Sequence, residues 1–150
     1  MPSLLELLKD QPAVQFATGE NVIEQGSRSG TLLVLIDGSL EVLRDEVRVA
    51  RVSEPGAIFG ELSILLGGDH TATLRALTPC SFHVIDEPLA RLRASAELSL
   101  HVAELLAHRL DALNKYLVDV KRQYEGHDHL GMVDEVLDAL MRRHPRKPKG

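Results

Sequence analysis

Residues 58–66 read Ile-Phe-Gly-Glu-Leu-Ser-Ile-Leu-Leu, and residues 70–73 read His-Thr-Ala-Thr. The pattern predicts a helix of about one and a half turns that follows Gly60 and carries Glu61 in its first turn. Free backbone N–H groups at a helix start attract an anion, and a glycine lets the backbone approach it closely. Glu61 can accept a hydrogen bond from a sugar hydroxyl, and Thr71 can donate one to a phosphate oxygen. The stretch therefore predicts a site for a small ligand that carries a phosphate and a ribose.

Around this stretch the chain resembles the cyclic nucleotide-binding domain family. The family's phosphate-binding cassette has the order Phe-Gly-Glu-Leu/Ile-Ala/Ser-Leu, followed after a short gap by Arg-Ser/Thr/Ala-Ala. Turns outside the cassette also resemble those of the family, at Gly19, Gly26, Gly38 and Gly56. The resemblance extends from about residue 13 to residue 124. It implies a non-catalytic regulatory module in signal transduction that binds cAMP or cGMP and signals through the position of a helix.

The resemblance also implies roles for individual residues. Glu61 is expected to hold the ribose 2′-hydroxyl, next to Gly60. The groups expected to hold the cyclic phosphate are the backbone N–H groups of Leu62, Ser63 and Ala72, the hydroxyl of Thr71, and His70. Asn114 falls where bacterial cyclic-AMP receptor proteins of the family contact the purine edge. For Asn114, an ordinary solvated position on a helix is the alternative interpretation.

The chain departs from the family at His70, where the family has an arginine that binds the phosphate. Arginine is permanently charged and offers two parallel donors, whereas histidine offers one donor at a time and changes its charge near pH 6.5. Removing one partner of a buried charged pair costs about 2–5 kcal/mol. Two hypotheses follow. Either binding is weakened or pH-dependent, or the pocket is degenerate and ligand-free and the protein is a dimeric scaffold for protein interactions.

Short strands separated by turn residues are predicted between residues 13 and 86. The continuous apolar run at residues 32–36 is typical of a strand covered on both faces, and the last two strands are expected at residues 71–76 and 81–85. Pro88 and Ser95 mark the expected starts of two helices. We therefore expect a mainly β fold with helices (α+β). It is an antiparallel β-roll or jelly roll with flanking helices, including a short amphipathic N-terminal one.

A long helix is predicted at residues 97–124. Its apolar residues step by 4, 3, 4, 3 and 4 positions, at Leu106, Leu110, Leu113, Leu117, Val120 and Tyr124. This spacing is typical of a coiled-coil seam and predicts a homodimer, which the resemblance to bacterial cyclic-AMP receptor proteins also favours. Packing of the seam on its own domain is the alternative. A separate apolar face is already available for that contact, at Leu98, Val102 and Leu105.

Two segments complete the expected organisation. Residues 1–126 form a cyclic nucleotide-binding-like domain that includes the N-terminal and long helices, and residues 127–150 form a short amphipathic helix with a basic tail. The apolar stripe of residues 132–141 predicts a surface for an unidentified protein target. Because only about 25 residues follow the long helix, we expect no helix-turn-helix and no direct DNA binding.

Composition limits the remaining classes of function. The net charge of −5 argues against a nucleic-acid-binding surface, and no apolar run is long enough to span a membrane. The only cysteine, Cys80, is expected to be a small buried residue, and the absence of an internal disulfide fits a cytoplasmic location. The adjacent residues 127–129 (His-Asp-His) cannot all face one ion, so no metal is expected. No nucleophile elbow, P-loop or Cys-x-x-Cys is present, so no enzyme is expected.

Overall fold

The computed structural model describes residues 3–124 and 138–141. Their elements, in chain order, are α1 (Leu4–Leu7), β1 (Ala13–Phe16), β2 (Asn21–Ile23), β3 (Leu32–Asp37), β4 (Leu40–Arg44), β5 (Val47–Val52), β6 (Ile58–Phe59), α2 (Glu61–Leu66), β7 (Thr73–Ala76), β8 (Cys80–Ile85), α3 (Pro88–Ala94) and α4 (Ala96–Gln123). The chain divides into two compact units, Met1–Leu105 and Leu106–Gly150. The predicted fold, an antiparallel β-roll with flanking helices and a long C-terminal helix, is confirmed.

Two four-stranded antiparallel sheets form the first unit, with strand orders β1-β8-β3-β6 and β2-β7-β4-β5. Residues 32–35 in β3 are all buried, as the continuous apolar run predicts. Both sheets contribute to the core, whose buried members are Ile23, Leu33, Leu35, Leu40, Ala57, Phe59, Leu74, Ala76, Cys80 and Phe82. Aliphatic side chains therefore fill most of this core, as expected of a chain with few aromatic residues.

The segment that carries the candidate site connects the two sheets. Strand β6 pairs with β3 in the first sheet, with Phe59 opposite Leu33. Strand β7 pairs with β2 and β4 in the second sheet. Helix α2 and the loop after it lie between β6 and β7 in the chain, so both ends of the segment are held by paired strands.

Local sequence signals define the helix starts. Pro88 occupies the first turn of α3, as predicted. The Oγ of Ser95 accepts a hydrogen bond from the N–H of Leu98 at 3.1 Å, which confirms Ser95 as the cap of α4. Leu98 and Val102 are buried in the first unit, which confirms the separate apolar face of the helix.

Some predictions concern segments that the structure describes only in part. Residues 138–141 are helical. Several predictions lie outside the described residues: the rest of the stripe at 132–141, the boundary at residue 126, residues 127–129 and the basic tail.

Cys80 is buried, as predicted. It is 1% exposed and is the first residue of β8, and burial raises the pKa of its thiol. No helix among residues 3–124 and 138–141 has the length and apolar character needed to cross a membrane.

Candidate functional site

Gly60 starts helix α2 in a left-handed conformation, with φ 90° and ψ 0°. A Cβ atom at this position would lie 2.9 Å from the carbonyl oxygen of Thr31, so the backbone there approaches too closely for any side chain. Gly60 is the N-cap residue of α2, and it has no side chain that could cap the first turn. Gly67 ends the helix, also with a left-handed conformation. The two glycines thus delimit a six-residue helix, close to the predicted length.

The first residues of α2 alternate between buried and exposed positions. Glu61 and Ser63 are buried, whereas the side chain of Leu62 is exposed. The hydroxyl of Ser63 donates a hydrogen bond of 2.5 Å to the carbonyl oxygen of Gly68. This bond ties the helix to the loop that follows it and so helps to hold residues 60–68 in one conformation.

The backbone of His70 pairs with the loop between β2 and β3. The His70 N–H donates to the carbonyl oxygen of Ser27, and the His70 carbonyl accepts from the N–H of Gly26, both at 2.8 Å. Beside this pair, Arg28 and Asp69 form an exposed ion pair at 2.8 Å. The loop after α2 is therefore fastened to residues 26–28 by backbone bonds that do not depend on the identity of the residue 70 side chain.

The imidazole of His70 is packed into the same loop. His70 is 6% exposed, and its Nε2 lies 2.9 Å from the Oγ of Ser29. The N–H of Ser29 also donates to Nε2, at 3.4 Å. The ring atom Cε1 would lie 3.6 Å from a Cβ on Gly60, so the ring lies beside the start of α2.

Burial lowers the pKa of His70, and the nearby carboxylates of Asp69 and Glu61 only partly oppose that effect. The imidazole of the ligand-free protein is therefore uncharged at neutral pH. A bound anion would have to supply favourable energy of its own to protonate it.

Thr71 and Ala72 form the link between His70 and β7. Thr71 is exposed and Ala72 is half-buried, and the strand begins only at Thr73. The predicted strand start at residue 71 is therefore two residues early. The N–H of Gln25 donates to the side-chain Oγ1 of Thr73 at 3.0 Å, just beyond the paired residues of β2 and β7.

The structure thus brings Gly60, Glu61 and His70 together. Asn114 lies on α4 in the second unit, where its Oδ1 is buried and accepts no hydrogen bond from any described residue. Its contact with a purine stays a prediction, as do the ligand contacts of the cassette residues.

Sequence reasoning missed the part played by Ser29. Its segment, residues 27–30, reads Ser-Arg-Ser-Gly and indicates only a turn. The partner of Ser29 is 41 positions away, and no local pattern connects the two.

Comparison with known proteins identifies the family. A sequence model of the "Cyclic nucleotide-binding domain" matches residues 13–92, just over half of the chain. The chain belongs to this family. The model describes a binding domain rather than an enzyme, which agrees with a role in cyclic nucleotide sensing or regulation.

Curated relatives are similar over part of their length. The chain is 33% identical over 69 residues to the cAMP-dependent protein kinase regulatory subunit of Yarrowia lipolytica, a match that covers 46% of this chain and 18% of the relative. It is 28% identical over 89 residues to the cGMP-dependent protein kinase egl-4 of Caenorhabditis briggsae, covering 59% of this chain and 12% of the relative. The chain therefore spans less than a fifth of the length of these two relatives.

Among solved structures, the Thermus thermophilus catabolite activator protein has the same fold. The TM-score is 0.64 at 22% sequence identity, and the superposition covers 91% of this chain and 81% of that protein.

Proposed function

We propose that this chain is a non-enzymatic regulatory module that binds a cyclic purine nucleotide at residues 60–72. The observation that carries the proposal is that Gly60, in its left-handed conformation, starts α2 beside the buried side chains of Glu61 and His70. The glycine lets the chain turn tightly into α2, so that the first turn of the helix and residue 70 lie side by side, as a phosphate site requires.

The phosphate and ribose contacts follow from the positions of the polar groups. The backbone N–H groups of Leu62 and Ser63, together with the N–H of Ala72 and the hydroxyl of Thr71, are proposed to hold the cyclic phosphate, with His70 as a further donor. Glu61 is buried at the start of α2 and is proposed to accept a hydrogen bond from the ribose 2′-hydroxyl.

The ligand class comes from the relatives. One is named for its dependence on cAMP and another for its dependence on cGMP, so both nucleotides are candidates. The purine is proposed to contact Asn114, whose buried Oδ1 lacks a donor among the described residues. Contacts at the cassette and on α4 would together bias the position of the helix, and this bias would be the output of the module.

A homodimer through α4 is part of the proposal. Leu110 and Leu113 lie on the predicted seam, and in the single chain their side chains are 42% and 44% exposed. Burying two such rows of leucine side chains against each other would remove apolar surface from water.

The alternative function is a dimeric interaction scaffold with a ligand-free pocket. The burial of His70 favours it, because an uncharged ring that is already hydrogen-bonded to Ser29 offers less to a phosphate than a free arginine does.

Thermal denaturation separates the two functions. At 100 times its Kd, a ligand adds about 2.7 kcal/mol of stability, which raises the Tm of a chain of this size by about 5–11 °C. We expect such a rise with cAMP or cGMP at pH 7.5 or pH 5.5. The absence of a shift with either nucleotide at both pH values, at millimolar concentration, would refute cyclic nucleotide binding and favour the scaffold.

Three variants make the result specific to the site. Glu61→Gln removes the proposed ribose acceptor and is expected to reduce the shift, whereas Glu54→Gln changes an exposed carboxylate outside the cassette and is expected to leave it intact. His70→Arg is expected to increase affinity if the rest of the pocket is functional.

A further inference from the structure

Two hydroxyl groups and His70 form a short chain of hydrogen bonds. The Oγ1 of Thr31 donates to the Oγ of Ser29 at 3.4 Å, and that Oγ lies 2.9 Å from Nε2 of His70. The backbone N–H of Ser29 points to the same nitrogen. All three residues lie within or against the loop between β2 and β3.

The backbone contact and the hydroxyl contact of Ser29 together indicate the direction of this chain. A backbone N–H can only donate, so the Nε2 that it meets has to be an acceptor and carries no proton. Because the ring is uncharged at neutral pH, its one proton is then on Nδ1. The Ser29 hydroxyl, which receives a hydrogen bond from Thr31, is free to donate its own hydrogen to Nε2 and so supports the same arrangement.

The other ring nitrogen faces a different environment. Nδ1 of His70 has no hydrogen-bond partner in the described part of the chain. It is also absent from the buried atoms that lack partners there, which are Nε2 of His101 and Oδ1 of Asn114. The ring lies beside the start of α2, near the carboxylates of Asp69 and Glu61.

We propose that Ser29 is a positioning residue that holds His70 as the Nδ1–H tautomer, so that the ring presents one neutral hydrogen-bond donor to the cyclic phosphate. In free histidine in water the Nε2–H tautomer predominates, so the loop reverses the usual preference. The tautomer is a property of the ligand-free protein, and only its use toward a phosphate rests on the proposed function. On this proposal the chain replaces the charge of an arginine with a donor of fixed direction.

Nuclear magnetic resonance on the ¹⁵N-labelled chain tests the tautomer without a ligand. Long-range ¹H–¹⁵N correlations at pH 7.5 distinguish protonated from unprotonated imidazole nitrogens, and the signals that disappear in His70→Gln identify His70. We expect an unprotonated Nε2 and a protonated Nδ1. A protonated Nε2 in the wild-type protein would overturn the proposal.

Variants of the loop test the role of Ser29. Ser29→Ala keeps the long backbone contact at 3.4 Å but removes the shorter hydroxyl contact at 2.9 Å, so it is expected to move the Nε2 signal toward the protonated range. Ser29→Thr, which keeps a hydroxyl, is expected to restore it. Ser27→Ala is the matched control, because the Ser27 hydroxyl bonds to the carbonyl of Glu24 and does not contact His70. An unchanged tautomer in Ser29→Ala, with the fold intact by circular dichroism, would show that the backbone N–H alone sets it and would overturn the positioning role of the Ser29 hydroxyl.

A ligand titration tests the role of Ser29 in nucleotide binding. Ser29→Ala is expected to weaken cyclic nucleotide binding about 2- to 12-fold, the effect of one lost hydrogen bond. If the wild-type chain binds no nucleotide but shows the expected tautomer, the proposed function fails and the assignment of Ser29 stands. If the chain binds but Ser29→Ala has the wild-type affinity, the role of Ser29 toward the ligand is refuted while the proposed function survives.

Discussion

The close approach at Gly60 predicts an unequal effect of two chemically identical substitutions. Gly60 and Gly67 both have positive φ, at 90° and 75°, and they flank the same helix. A Cβ on Gly67 meets no atom within 4 Å, whereas a Cβ on Gly60 would lie 2.9 Å from the carbonyl oxygen of Thr31. Gly67→Ala therefore introduces backbone strain alone, and Gly60→Ala introduces the same strain plus a steric conflict.

The magnitudes follow from these two terms. Left-handed backbone costs an alanine about 1–2 kcal/mol, part of which is offset because alanine restricts the unfolded chain by about 0.4–1 kcal/mol. At Gly60 the Thr31 carbonyl would also have to move by roughly 0.5 Å to reach an ordinary contact, next to the fully buried Leu32. Overpacking of this kind typically costs about 1–3 kcal/mol. We therefore expect Gly60→Ala to lose about 1–3 kcal/mol more stability than Gly67→Ala.

Urea denaturation of the two variants and the wild-type chain measures this difference. The transitions should have the same slope and different midpoints, so that the free energies of unfolding compare directly. Equal losses for the two variants would refute the argument, because they would show that the Thr31 carbonyl moves away at no cost.

Three further predictions follow. Because burial lowers the pKa of His70 below its unfolded value of 6.5, its contribution to stability is present above pH 6.5 and is lost as the pH falls toward the folded pKa. The free energy of unfolding, measured with urea, should therefore fall less between pH 7.5 and pH 5.5 in His70→Gln than in the wild-type chain. A variant of the exposed His108 should show the same fall as the wild-type chain. Leu113→Glu should convert the proposed dimer to a monomer in light scattering, whereas Val118→Glu, exposed but off the seam, should not. Ser95→Ala should lower the free energy of unfolding by about 0.5–2 kcal/mol, through loss of the cap on α4.

Features with local causes could be predicted from the sequence. The helix after Gly60 follows from a glycine next to an acidic residue and an apolar run, and the cap at Ser95 follows from a hydroxyl residue before a helical pattern. The buried strand at residues 32–36 follows from its continuous apolar character. In each case the determining residues lie within a few positions of one another, so the pattern and its physical cause coincide.

Features that depend on pairing between distant strands could not be predicted. Glu41 is 8% exposed, and its carboxylate lies 2.7 Å from Nη2 of Arg48 and 3.6 Å from Nη1 of Arg75. In the sequence Glu41 is one polar residue of a strand, and only the register of β4 against β5 and β7 brings the two arginines beside it. The contact of Ser29 with His70 likewise joins residues far apart in the sequence, in this case in two loops.

The environment of His70 changes how its substitution for arginine has to be interpreted. A residue whose only role was to hold a ligand would be free to change when the ligand is lost, but the His70 ring also accepts hydrogen bonds from Ser29. His70→Arg would restore a permanent charge and at the same time place a donor-only side chain against the Ser29 N–H. Its affinity for a nucleotide and its stability therefore test different things. If His70→Arg binds the nucleotide more tightly and unfolds more easily than the wild-type chain, then histidine at position 70 lowers phosphate affinity and stabilises the loop that contains Ser29.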